Sequence, residues 1–88
     1  MYMIIWDDDK NQKLQNERKI SFDEIAEIIL RKDYLDIIEN PSRSSQQLFI
    51  IELNDYIYSV PFIIDSESNI VLKTAFPSRK LNKKYKGV

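Results

Sequence analysis

The segment from Ile20 to Leu30 constrains this chain more than any other. Ser21-Phe22-Asp23-Glu24 fits the S-x-x-E capping box, in which hydroxyl and carboxylate satisfy each other's backbone N–H groups and start a helix. Ile20 and Ile25 occupy the two positions of a hydrophobic staple. Behind them Phe22, Ile25, Ala26, Ile28, Ile29 and Leu30 recur every three to four residues, giving an apolar stripe that must pack on something. Arg31-Lys32 follow near the C-terminal end, where the helix dipole favours cations.

Around this helix the pattern is that of strands. Tyr2–Trp6 is a β-prone apolar run that stops at Asp7-Asp8-Asp9, and Asp7 or Asp8 can cap a helix over Asp8–Arg18. That helix has Leu14 as its one firm apolar residue and reads as a surface helix. Tyr34–Glu39 predicts a short strand, Asn40–Gln47 a polar loop, and Leu48–Leu53 and Tyr56–Ile64 a hairpin turning at Asn54-Asp55. Asp65–Asn69 turns the chain into a last strand over Ile70–Phe76. Pro61 has no N–H to give a ladder, so its strand needs an edge or a bulge there. After Pro77-Ser78, Arg79–Lys86 forms a short basic helix or tail. The expectation is one α+β domain over residues 1–88: an N-terminal strand, two helices and an antiparallel meander of about four strands, with the helices on one face of the sheet.

Composition narrows the chemistry. The 88 residues contain neither Cys nor His, which removes disulfides, thiolates, imidazole bases and Cys- or His-ligated metals. Gly87 is the only glycine, so no glycine-rich phosphate loop exists. Asp7-Asp8-Asp9 could in principle hold a hard cation, but consecutive carboxylates rarely converge and capping accounts for them. We expect no metal and no cofactor. No apolar run approaches the ~20 residues of a membrane span, and the N-terminal run lacks the basic flank of a signal peptide. The expectation is a cytoplasmic protein.

Charge is uneven along the chain. Residues 1–72 hold all fourteen acids and seven cations, whereas residues 73–88 hold Lys73, Arg79, Lys80, Lys83, Lys84 and Lys86 and no acid. Such a cluster points to a polyanion or an acidic partner, or to a solvated tail. The strand aromatics Tyr34, Phe49, Tyr56, Tyr58 and Phe62 could stack on bases, though sheet packing is the better default for residues in β runs. Cleavage of RNA by its own 2′-hydroxyl needs a base, cations for the phosphorane charge and an acid for the leaving oxygen. Arg suits the charge-stabilising role, and Lys or Tyr the proton steps.

The chain resembles the BrnT family of type II toxins, within the RelE-like superfamily of small ribonucleases. The resemblance rests on Ile5-Trp6-Asp7 with Lys10-Asn11, on Arg18-Lys19-Ile20-Ser21-Phe22-Asp23-Glu24, and on Ser78-Arg79-Lys80 with the later Tyr85. It implies a RelE-like α+β fold and a metal-independent endoribonuclease that stops translation. It also implies a cognate antitoxin, typically a ribbon-helix-helix DNA binder through which the complex reaches its operon. Arg79 and Lys80 match the family's Arg-Lys pair and are expected to hold the scissile phosphate. Tyr85 is a further catalytic candidate, and Lys73, Arg43, Lys83 and Lys84 are expected to bind RNA. The chain departs from the family in carrying Arg18-Lys19 where many relatives have a His, and in lacking an acid between Lys80 and Tyr85. Those departures keep open a second reading, a non-catalytic interaction module that assists operon repression.

Overall fold

The structure is a computed structural model that describes residues 3–87. The strands and helices are β1 (Ile4–Ile5), α1 (Asp8–Arg18), α2 (Phe22–Leu30), β2 (Asp36–Glu39), β3 (Gln47–Leu53), β4 (Tyr56–Ile64), β5 (Ile70–Leu72), β6 (Phe76–Pro77) and α3 (Arg79–Lys86). The sheet order is β1-β5-β4-β3-β2, with β6 also on β4. The β1–β5 pair is parallel and the others are antiparallel. β1 is shorter than the Tyr2–Trp6 run, of which Tyr2 lies outside the described residues. Trp6 leaves the strand and packs on Phe22, with ring centroids 5.9 Å apart.

Both helix starts follow from their caps. Asp7 Oδ1 accepts from the N–H groups of Asp9 at 2.8 Å and Lys10 at 3.2 Å. At α2 the Ser21 hydroxyl accepts from Glu24 N–H at 3.2 Å while Glu24 Oε1 accepts from Ser21 N–H at 3.1 Å. Ile20 and Ile25 are both buried beside this turn. The Asn54-Asp55 turn has φ of 53° and 62°, the doubly left-handed form that matches strand twist.

The helices do not all lie on one face, contrary to the expectation from sequence. Phe22, Ile25 and Ile29 of α2, with Leu14 of α1, pack on Phe49, Ile51, Val60, Phe62 and Leu72. Leu48, Ile50 and Ile57 face the other way, where Leu81 and Tyr85 of α3 cover them. The reason lies in β3: Leu48-Phe49-Ile50-Ile51 are all buried, so alternate side chains need cover on both faces.

The expected strand Ile70–Phe76 is interrupted. Phe62 pairs with Leu72 but Ser59 pairs with Phe76, so three residues, Lys73 to Ala75, oppose two, Val60 and Pro61. This is a β-bulge. It sits where Pro61 has no N–H to give: Lys73 N–H donates to the Pro61 carbonyl at 2.9 Å, and nothing returns the bond.

Asn11 ties α1 to α2. Its Oδ1 accepts from Phe22 N–H at 2.8 Å, and its Nδ2 donates to Asp23 Oδ2 at 3.1 Å. Asn11 is one of two buried polar residues among those described. Replacing it by Ala strands a buried N–H, so Asn11→Ala should cost about 1–3 kcal/mol in urea unfolding. The exposed neighbour Asn16→Ala should stay within about 0.5 kcal/mol of wild type.

Candidate functional site

The basic C-terminal segment is a docked helix. Ser78 caps α3 by accepting from Leu81 N–H at 3.2 Å, and Asn82 Oδ1 accepts from Ile57 N–H at 3.2 Å. The Tyr85 hydroxyl donates to Asp36 Oδ2 at 3.1 Å. Burial, and then this bond to a carboxylate, push the Tyr85 phenol above its ordinary value, so it keeps its proton at neutral pH. Lys86 Nζ bridges Glu52 Oε2 at 2.7 Å and Asp55 Oδ1 at 2.5 Å, clamping the helix end to the β3–β4 turn.

Arg79 and Lys80 lie exposed on the first turn of α3, and Lys83 and Lys84 lie exposed further along it. Among the described residues none of the four forms an ion pair. Lys84 Nζ stands 5.5 Å from the centre of the Tyr85 ring. These residues share one helix, and its positive end carries the Arg79-Lys80 pair.

Lys73 and Arg43 lie elsewhere, together. They line a cleft of about 650 Å³ between α1, the 40–46 loop and the bulge. Lys10, Lys13 and Arg18 of α1 line the same cleft, as do Leu14 and Phe76. Glu17 is its one carboxylate. The seven sequence-derived candidates therefore separate into a cleft pair and an α3 group. Sequence reasoning missed Lys10, Lys13, Glu17, Arg18 and Phe76. Their spacing on α1 places 10, 13, 14 and 17 on one helix face, a signal present in the sequence. That Arg43 and Lys73 arrive opposite that face is a tertiary fact.

The strand aromatics pack with one another. Phe49 stacks on Phe62 at 4.2 Å and Tyr34 tilts against Phe49 at 5.2 Å. Tyr58 lies against the main core with Tyr56 edge-on to it at 6.3 Å, and both are half-buried. Asp7 is a helix cap, as its two backbone bonds show. No helix among the described residues is long and apolar enough to cross a membrane.

Comparison with protein-family models, with curated proteins and with solved structures finds no match for this chain.

The α3 clamp is pH-dependent in both directions. Hydrogen bonds that Lys86 donates to Asp55 and Glu52 raise it above its ordinary 10.5. That contribution is complete below 10.5 and fades as pH climbs through the higher folded value. The Lys86 hydrogen bond and charge lower Asp55 below its ordinary 3.8. Its contribution is present above 3.8 and fades as pH falls through the lower folded value. Lys86→Met should weaken both limbs of a stability–pH profile measured by urea unfolding. At neutral pH its effect should be small, because these exposed partners are screened by solvent.

Proposed function

We propose that the protein is a metal-independent endoribonuclease of the BrnT-like toxin kind, with a RelE-like fold, neutralised by a cognate antitoxin. The observation that carries this reading is the placement of Arg79 and Lys80. They are exposed at the positive end of α3 and form no ion pair among the described residues. Two residues separate Arg79 from Phe76 in the cleft, a reach of at most about 11 Å between their Cα atoms. On this reading an RNA strand leaves the cleft along the passage from Phe76 and continues to Arg79.

In the proposed reaction the 2′-oxygen attacks the adjacent phosphorus and a P–O bond forms. The 5′-oxygen leaves, taking a proton from water to become the 5′-hydroxyl, and a 2′,3′-cyclic phosphate remains. Arg79 and Lys80 stabilise the charge that grows on the phosphorane oxygens, Arg by pairing two of them at once. Glu17 offers a carboxylate to accept the 2′-hydroxyl proton. The antitoxin, a small ribbon-helix-helix DNA binder on this reading, covers the α3 cations with an acidic segment and carries the complex to DNA. Such a substrate places the protein in the cytoplasm.

One observation favours the second reading, a non-catalytic module. The Tyr85 hydroxyl donates its proton to Asp36, so the family-derived acid candidate is engaged in holding α3.

Purified protein free of antitoxin should cut defined RNA in the presence of EDTA. Arg79→Ala should lower the rate by about 10²–10³-fold, the usual loss on removing one oxyanion-stabilising group. Glu17→Gln should lower it by about 10²–10⁴-fold. A folded wild type that leaves RNA intact but binds its partner would establish the module instead.

A further inference from the structure

Apart from α3, the cleft is the molecule's other concentration of positive charge. Five of the chain's thirteen cations line it, Lys10, Lys13, Arg18, Arg43 and Lys73, against one of its fourteen acids, Glu17. None of the five forms an ion pair among the described residues. On a chain of net charge −1 such crowding makes the cleft locally positive and favours an occupant that is itself negative. The cleft also contains Phe76, an aromatic residue left 39% exposed. The bulge sets it there: Ala75 takes the buried position, and Phe76 opposite Ser59 is left at the surface.

We propose that this cleft is a binding site for single-stranded RNA, with phosphates on Lys10, Lys13, Arg18, Arg43 and Lys73 and one base stacked on Phe76. Cations beside an exposed ring form the chemistry that holds unpaired strands, because every base has a face to stack and every linkage a charge. A duplex offers no free base face to Phe76. An acidic peptide satisfies the lysines but leaves the ring without a flat partner. Arg43 belongs to the loop joining β2 and β3, while Lys10, Lys13 and Arg18 stand on α1, so the strand is held between a loop and a helix that Asn11 fixes in place. The site deepens the ribonuclease reading and rests on it only for the identity of the polymer.

The test is binding without cleavage. A 2′-O-methyl RNA dodecamer, which has no 2′-hydroxyl to attack, is titrated by fluorescence anisotropy at several salt concentrations. Lys10→Gln/Lys13→Gln/Arg18→Gln changes exposed residues only. It should weaken binding at least tenfold and flatten the salt dependence, by about 0.7 in logarithmic slope for each phosphate that is no longer neutralised. Phe76→Leu should weaken binding of the single strand about tenfold while leaving the salt slope unchanged. The duplex of the same sequence should bind wild type more weakly than the strand does. Far-ultraviolet dichroism and the thermal midpoint confirm that each variant is folded.

Wild-type affinity in the triple variant overturns the proposal, as does preference for the duplex or for a poly-glutamate peptide over the strand. The cleavage assay stands apart from this one. A chain that binds the dodecamer through the cleft yet cuts no RNA loses the ribonuclease reading and keeps the site. A chain that cuts RNA while the triple variant binds normally keeps the reading and loses the site.

Discussion

The architecture depends on β3 and β4 being apolar on both faces. Phe49, Ile51, Val60 and Phe62 look one way and Leu48, Ile50 and Ile57 the other. Burying a Leu, Ile or Phe side chain contributes about 1.5–3 kcal/mol, so neither face can be left to water in a domain this small. α2 is apolar enough to cover the first face. α3 has only Leu81 and Tyr85 for the second, and polar bonds from Asn82, Tyr85 and Lys86 supplement them. The same requirement pins the cationic helix to the sheet and leaves its outer side, with Lys83 and Lys84, to solvent.

Much of this was legible because it is local. The capping box, the staple, the two-residue hairpin and the discontinuity at Pro61 each rest on a few neighbouring residues whose chemistry allows one outcome. The place of α3 was legible in principle, since four consecutive buried apolar residues in β3 cannot share one face, but its own sequence shows charge before it shows Leu81 and Tyr85. Left-handed φ at Lys19 and Lys32 had no glycine to announce it. The cleft was legible only in halves. Lys10 and Lys13 on one helix face can be counted from the sequence, whereas the arrival of Arg43 and Lys73 depends on how the sheet is ordered.

The segregation of charge in the fold differs from its segregation along the chain. The C-terminal run of cations is divided by the structure. Lys86 is neutralised by Glu52 and Asp55, and Lys73 leaves the run to join α1. Conversely, four cations from the acid-rich first part of the chain gather at the cleft. A charge profile read residue by residue therefore points to the tail, while the folded surface carries two positive regions linked by the short passage from Phe76 to Arg79.

The bulge also fixes a parity. Ile70, Leu72 and Ala75 all face the main core, at spacings of two and then three. Everything after Lys73 is thereby inverted relative to a plain strand. Substitutions along this passage change side chains one at a time, whereas loss or gain of a single residue exchanges its inner and outer faces wholesale. Along this passage the number of residues is therefore constrained as tightly as the burial of Ala75.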